Sequence, residues 1–567
     1  MKKFLLFPIV AMAMLLASCT SNDDNPSDVP VTPPEKEVAD YTLLFYGMGG
    51  ASTSGASALD FAIVAYNIND MFNAVNEYGT NANVVVNYKF SPNYDAPYYA
   101  KYNLAGEYVE EGQKSFEDYK GQTYRFAVQQ GTNIIDTFCD ENLYGNQDND
   151  YANPDSLTNF INWAAEKYPA KKYILVLSDH GGGYLPNTDL QYNKTRNIMN
   201  EAMYGTAFSV HSLKHALQAA NTHLDVLYMD ACLMNNVEYL YELKDQVDYF
   251  IASTFLVPGV GGDYVSLIEL LNQSSDLDPV LLQYPDRLVK FWADNKCGNY
   301  NDVTVTRSSM LDAYASVLKE FTNTLCNLYQ YGSEEDRAII DILTRGYTFK
   351  VEDSGSSYLL KNYVYDIVEN RPDAFPDDFI YRFQSAHDNC IVSAATSPYF
   401  TSHDFEIDHS IVLGANGEYT RLQWIPDNDK GMLVPDLMML YQPYGTYWYY
   451  YEFPESEDIL DITDYLADYG DTGYKLSWKS TFADTYSTLE FSKKTGWDKW
   501  LLCNKVHPFS LSPANYELSI FDDDSTGGET EEETEEEANG IKVKHNYRIN
   551  PAKLNPSPEE NAFLKKR

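Results

Sequence analysis

The sequence predicts an α/β chain built on a mostly parallel sheet flanked by helices, with a mixed α+β C-terminal extension. Two stretches carry the first part. Tyr173-Ile174-Leu175-Val176-Leu177 and Leu224-Asp225-Val226-Leu227-Tyr228-Met229 are short, mostly apolar runs of strand length, and 208–220 between them reads as a helix. Strands joined through one helix pair in parallel as a rule, so both C-terminal ends open on one edge of the sheet, the edge where such sheets hold ligands. The same alternation upstream, Tyr41-Thr42-Leu43-Leu44-Phe45-Tyr46, then a helix over 58–78, then Asn83-Val84-Val85-Val86-Asn87-Tyr88, is the third observation.

The first element is not part of the sheet. Lys2 and Lys3 precede an apolar run over 4–16 and then Leu16-Ala17-Ser18-Cys19. The run is short for a membrane span, and small residues before a cysteine suit lipoprotein processing, so 1–19 is expected to be a signal peptide with a lipobox and Cys19 the lipidated residue. Ser21-Asn22-Asp23-Asp24 resembles the acidic surface-export signal of one group of Gram-negative lipoproteins, which implies an outer-membrane, surface-exposed protein. Residues 20–39, with Pro26, Pro30, Pro33 and Pro34, read as a flexible linker.

After the first strand, Gly47-Met48-Gly49-Gly50 offers neither GxGxxG nor a Lys-Ser/Thr pair, so it reads as a tight strand-to-helix turn and not a phosphate loop. Residues 113–151 read as loop-rich. Asn146-Gln147-Asp148-Asn149-Asp150 has oxygen ligands for calcium but lacks the EF-hand glycine and terminal glutamate, so calcium is an option and no cofactor is required. Asn153 to Ser156 caps a helix over 157–168. His211 and His215 have i, i+4 spacing, yet no HExxH glutamate or third ligand accompanies them, and no metal site is assigned.

Two residues at the predicted strand ends carry chemistry. Asp230-Ala231-Cys232 ends one strand and runs into a helical pattern, which would set the Cys232 thiol near the unpaired amides of a first helical turn and favour its thiolate. Ser178-Asp179-His180-Gly181-Gly182-Gly183 ends the other, and His180 is the matching base.

These blocks, with Asn153-Pro154-Asp155-Ser156-Leu157, Phe160-Ile161-Asn162-Trp163-Ala164, Asp230-Ala231-Cys232-Leu233-Met234 and Pro258-Gly259, resemble the clostripain family of cysteine peptidases, which has a caspase-like fold. The resemblance covers about 40–275 and continues more weakly to about 425; the 52 residues from His180 to Cys232 also match caspase-type spacing. It implies a Cys232–His180 dyad; Gly181, a glycine that permits close backbone approach, and Cys232, at the expected helix start, are the natural oxyanion amides. It also implies activation by a cut between the two residues, for which Lys194 and Arg196 in the polar loop 184–205 are candidates beside an uncut loop. Such enzymes cut after Arg or Lys, and Asp230 matches one acid of the pocket. The position expected to hold the second acid is Val260, with Asp263 three residues on, so an apolar or aromatic preference competes.

Beyond 275 the sequence predicts strands at 303–305 and 408–413, a helix over 310–331 and helical pieces over 336–370. The domain reading is 40–275 peptidase, 276–425 continuation, 426–520 an aromatic-rich β unit dense in Tyr and Trp, and 521–567 an acidic low-complexity tail that reads as solvated or, less readily, calcium-collecting. Aromatic clusters bind sugars or peptides as well as pack. A membrane-tethered binding protein with a vestigial site is therefore the competing function. A net charge of −42 excludes nucleic acid as the expected partner and leaves peptide or protein substrates. The cysteines other than Cys19 and Cys232 are five, an odd number with no CxxC metal spacing.

Overall fold

The computed structural model of the chain describes residues 38–50, 58–79, 81–94, 97–140, 150–183, 198–201, 204, 206–232, 234–253, 257–295, 301–346, 348–350, 356–396, 405–408, 421–424, 438–440, 488–503, 534–538 and 541–545. The first strand, β1 (Ala39–Met48), leads through a π-helical stretch (Phe61–Ile68) into α1 (Asn69–Tyr78) and β2 (Ala82–Lys89). Next come β3 (Thr123–Ala127), α2 (Ile134–Cys139), α3 (Pro154–Lys167) and β4 (Ala170–Ser178). A short hairpin, β5 (Ile198–Glu201) and β6 (Thr206–Phe208), precedes α4 (Val210–Ala219) and β7 (Leu224–Asp230). The series continues with α5 (Val237–Leu243), β8 (Val247–Ala252), α6 (Tyr264–Gln273), α7 (Asp278–Asp294) and β9 (Asp302–Arg307). Then follow α8 (Leu311–Tyr331), α9 (Glu334–Gly346), β10 (Thr348–Lys350), β11 (Ser356–Leu359), α10 (Leu360–Asn370), α11 (Phe379–Asp388) and β12 (Ile391–Thr396).

The main sheet has the order β12-β9-β8-β7-β4-β1-β2-β3. Its five central strands, β8, β7, β4, β1 and β2, are parallel, β9 and β3 run opposite to them, and the edge strand β12, antiparallel to β9, returns to the central direction. Successive strand residues point to opposite faces and both faces are covered by helices, which is why these strands are nearly continuous apolar runs. Leu44, Leu175, Leu177, Leu227 and Met229 enter one core with Phe160 of α3, Leu213 of α4 and Leu240 of α5. Leu43, Phe45, Ile174, Val176 and Val226 enter the other with Phe72 of α1, Leu267 of α6 and Leu288 of α7. Asn153 caps α3 as expected, its side chain accepting from the Asp155 N–H at 2.9 Å.

Several expectations are corrected. The stretch 113–151 is loop-rich as expected but also carries β3, which pairs with β2, and α2 under an Asn133 cap. A five-residue edge strand leaves too short a pattern to stand out. The part of 184–205 that is described carries β5, while 184–197, with Lys194 and Arg196, lies outside the described residues. The helical pieces over 336–370 are interrupted by the hairpin β10–β11. Of the strand expected at 408–413 only Asp408 is described, at the end of β13 (Phe405–Asp408), which pairs with β14 (Arg421–Trp424); 409–413 lies outside the described residues.

Of the aromatic-rich unit, β15 (Met438–Leu440) pairs with β11, while 441–487 and 504–520 lie outside the described residues. Phe491, within the 426–520 stretch expected to be a β unit, sits instead in helix α12 (Glu490–Thr495), followed by α13 (Trp497–Cys503). These helices belong to the same core: the Phe491 N–H donates to Glu242 of α5 at 3.0 Å, and Trp497 and Trp500 are fully buried. In the acidic tail, β16 (Thr534–Ala538) pairs with β17 (Ile541–His545), with Glu535 opposite Lys544 and Glu537 opposite Lys542. The tail thus carries a strand pair that its acidic composition argued against. Residues 1–37, including Cys19, and 146–149 of the calcium loop lie outside the described residues.

Candidate active site

The register of β4 against β7 sets the site. Ser178 pairs with Asp230 across the parallel ladder. His180 and Cys232 each lie two residues beyond that pair, so they leave the sheet at the same height from strands about 4.8 Å apart. The two turns touch. A Cβ built on Gly181 would lie 2.4 Å from the Cys232 carbonyl oxygen and 3.1 Å from its nitrogen, so only a glycine lets the histidine turn approach this closely. His180 and Cys232 are both half-buried, reachable yet partly desolvated.

The chain order changes direction here. β1 connects onward to β2 on one side and β4 to β7 on the other, so the crevice between β1 and β4 is a switch point of the kind that holds ligands. The glycines after β1 face two carboxylates, Asp60 on the β2 side and Asp179 across the crevice. A Cβ on Gly49 would lie 2.2 Å from both Asp60 oxygens, and one on Gly50, whose φ is +46°, 2.2 Å from Asp179 Oδ1. Asp60 is fully buried and accepts from Tyr88 Oη at 2.8 Å and from the Ser91 N–H at 3.1 Å; burial still pushes its carboxyl up to about 7. These glycines therefore serve close packing against buried acids as well as the turn.

The expected thiol environment is corrected. Cys232 is not at a helix start: α5 begins at Val237, where Asn236 caps it by accepting from the Glu238 N–H at 3.2 Å. Asn235 fixes the segment between by donating its N–H to the Ser253 carbonyl at 2.9 Å. Ala231, Cys232, Leu233 and Met234 are poor caps, and with the Asn235 backbone held by Ser253 the cap falls to Asn236, which sets the helix start downstream. The sulfur instead receives the Val257 N–H at 3.3 Å. A backbone N–H aimed at sulfur favours the thiolate, as the dipole was expected to do.

Val257 opens the loop that forms the neighbouring wall. The Val260 carbonyl accepts from Asn67 Nδ2 at 2.6 Å, the Gly261 carbonyl from Trp292 Nε1 at 2.8 Å, and the Gly262 N–H donates to Asp230 Oδ2 at 3.0 Å. Gly261 has φ +63°, and a Cβ there would lie 2.5 Å from Asn67 Oδ1 and 2.9 Å from Asp230 Oδ2. Val260 thus contributes its backbone and a half-buried side chain. Asp263 caps α6 by accepting from the Ser266 N–H at 3.0 Å, a structural task that sequence reading did not give it.

Asp230 is buried beneath this loop. Its Oδ2 accepts from Tyr264 Oη at 2.7 Å, the Gly262 N–H at 3.0 Å and Ser178 Oγ at 3.5 Å, while Oδ1 meets no hydrogen-bond partner among the described residues. Burial raises its pKa above the usual carboxylate range, and the three donors pull the other way. Asn67 Oδ1 is likewise buried without a partner among the described residues, its amide nitrogen being committed to the Val260 and Gly262 carbonyls. Two unmet acceptors beside Gly261 suit a ligand donor. Asn67, Tyr264 and Val257 escaped sequence reading because nothing local marks them; Asn67 reaches Val260 across 193 residues.

Among the described residues no group of three His, Cys, Asp or Glu side chains could hold a metal ion. Asp150 of the proposed calcium loop accepts from Thr206 Oγ1 at 2.6 Å. His223 pairs with Asp248 at 3.1 Å on the surface.

A half-buried cysteine and histidine at matched heights on neighbouring parallel strand ends, in a mostly parallel sheet between helices, define a protein of the caspase-like class. The family model described as the clostripain family matches residues 62–413, and the chain belongs to that family, one of cysteine peptidases. Clostripain of Hathewaya histolytica is 26% identical over 130 residues, which are 20% of this chain and 24% of clostripain, so the match spans about a quarter of that relative's length. A secreted C11 cysteine protease from Bacteroides thetaiotaomicron, in complex with an irreversible peptide inhibitor, aligns over 81% of this chain and 99% of its own at 14% identity and a TM-score of 0.47. An inactive zymogen C11 protease from Parabacteroides distasonis aligns over 82% and 99% at 15% identity and a TM-score of 0.46.

Proposed function

We propose that the chain is a cysteine endopeptidase that hydrolyses peptide bonds through Cys232 and His180 and favours Arg or Lys before the scissile bond. The observation that carries this reading is the register of Ser178 against Asp230, which sends both residues off the sheet side by side, with Gly181 against the Cys232 backbone. The Cys232 sulfur attacks the scissile carbonyl carbon while its proton passes to His180. The tetrahedral oxyanion is held by the Gly181 and Cys232 amides. Collapse breaks the C–N bond, His180 protonates the departing amine, and water then hydrolyses the thioester to release the acid.

The basic preference rests on Asp230, whose buried Oδ1 and the nearby Asn67 Oδ1 are acceptors suited to a guanidinium or ammonium. The test is initial-rate hydrolysis of a peptide set varying the residue before the cut, with Cys232→Ala as the blank. Cleavage after Arg and Lys supports the reading; cleavage after apolar residues keeps the peptidase and removes the basic pocket. No cleavage, with calcium and after nicking within 184–205 included, moves the assignment to a binding protein.

Asp230→Asn is expected to lower kcat/KM for Arg and Lys peptides roughly 10- to 100-fold, the worth of a hydrogen bond to a charged group, and to leave apolar peptides nearly unchanged. The sign with pH follows from burial. Because its pKa is raised, Asp230 protonates at a higher pH than an ordinary aspartate, so basic selectivity declines as pH falls through that raised value. In Asp230→Asn the selectivity stays low and flat across the same range. Equal selectivity in both chains would remove Asp230 from the pocket.

The same proposal tethers the enzyme to a membrane, on the support of the apolar run and Leu16-Ala17-Ser18-Cys19. Expression of the full chain with labelled palmitate is expected to label it, and Cys19→Ala to lose the label and the membrane fraction together. An unlabelled wild-type chain would reject the tether.

A further inference from the structure

We propose that Glu201 is a positioning residue for His180, acting through the short hairpin β5–β6; this rests on the His180–Cys232 reading above. The link is a backbone hydrogen bond. The Met199 N–H donates to the His180 carbonyl at 3.3 Å, so the hairpin holds the residue that carries the imidazole and precedes Gly181.

The hairpin is held in an unusual way. Among the described residues, Met199 alone combines a side chain with a left-handed backbone, at φ +63°, and that side chain is fully buried. Such a conformation persists only where the surroundings over-determine it. Two residues on, Glu201 supplies the restraint. Its Oε2 lies 2.9 Å from Lys89 Nζ at the end of β2, both side chains being 2% exposed, and accepts the Tyr151 N–H at 3.2 Å. The partner strand is fixed as well: Thr206 Oγ1 donates to Asp150 Oδ1 at 2.6 Å, and Tyr239 Oη of α5 donates to the Phe208 carbonyl at 3.0 Å.

A buried ion pair contributes little net stability, since desolvation offsets its attraction and apolar residues of similar volume often replace it without loss. What it does provide is a fixed place for its carboxylate. A displacement of Glu201 passes along two residues to the Met199 N–H, and from there to the His180 carbonyl. The imidazole then loses its alignment with the sulfur, where about 1 Å of misplacement can cost 10²-fold in rate.

The experiment uses the full chain with Lys89→Met/Glu201→Leu, which removes both charges together, and reads two quantities: peptide hydrolysis, and the pH profile of Cys232 alkylation by iodoacetamide. The expected result is a folded chain with cooperative melting whose kcat falls at least about tenfold while KM stays within about twofold. Its alkylation profile moves toward that of His180→Ala, and Lys89→Arg, which keeps the ion pair, retains the wild-type profile. A double variant that melts earlier but keeps wild-type kcat and alkylation profile overturns the proposal. If it fails to fold, Glu201→Asp, which keeps the charges and withdraws the carboxylate by one methylene, decides: unchanged kcat and profile there also overturn it, and a lower kcat at constant KM supports it. If wild type and His180→Ala alkylate identically, the dyad itself is wrong, an outcome distinct from failure of the hairpin alone.

Discussion

A His180→Ala chain is expected to hydrolyse its best peptide roughly 10²- to 10⁴-fold more slowly than wild type, the usual contribution of a positioned acid–base group. Cys232→Ala is expected to fall to the rate measured without enzyme, because no other nucleophile follows β7 within the same turn. Removing both should be no worse than removing Cys232, since a nucleophile and its base act as one unit. The geometry explains why the losses should be large. His180 and Cys232 stand at equal height beyond Ser178 and Asp230, so a proton has a short path between them. The Val257 N–H at 3.3 Å assists the thiolate but has no proton to give the leaving amine. His180→Ala should therefore leave some thiolate reactivity toward iodoacetamide while peptide turnover collapses. Steady-state rates beside alkylation rates, for the four chains of this cycle, check it. A His180→Ala chain within twofold of wild type in turnover would remove the histidine from the mechanism.

The parallel centre of the fold was legible because burial on both faces leaves a plain mark: apolar runs at 41–46, 83–88, 173–177 and 224–229 became β1, β2, β4 and β7. The positions of His180 and Cys232 followed from strand ends and needed no side-chain detail. The edges were less legible. β3 is short and paired on one side only, so its Thr-Tyr-Arg-Phe-Ala pattern is as much loop-like as strand-like. The start of α5 was misplaced because an Asn cap outweighs the apolar spacing that begins at Leu233.

Long-range polar partners left no local trace. Asn67 on the Val260 loop, Tyr264 on Asp230 and Lys89 on Glu201 are ordinary residues in sequence and become constraints only when the sheet brings their elements together. Asp263 shows the reverse case. An acid near Pro258-Gly259 invites a binding role, yet its side chain is occupied by the first turn of α6. The pocket proposed above therefore rests on Asp230 and on backbone held by Asn67 and Trp292, not on a second carboxylate.

Gly181→Ala is expected to lower kcat by roughly 10²- to 10³-fold, the loss that follows removal of one oxyanion donor, with a small change in KM. The added methyl would meet the Cys232 carbonyl oxygen at 2.4 Å, Ala231 Cβ at 2.9 Å and the Cys232 nitrogen at 3.1 Å. None of these is the far end of a flexible side chain. The histidine turn and the cysteine turn must therefore separate, and the separation falls on the two amides proposed to receive the oxyanion. Overpacking of this kind also lowers stability by about 1–3 kcal/mol, so a thermal melt alone would not identify the role. Alkylation does. Reaction of the thiolate with iodoacetamide forms no oxyanion, so a folded Gly181→Ala chain should keep much of its alkylation rate while peptide turnover falls. Equal losses in both would mean that the substitution displaces the Cys232–His180 pair itself, and wild-type turnover would show that the contact between the two turns is not needed for the reaction.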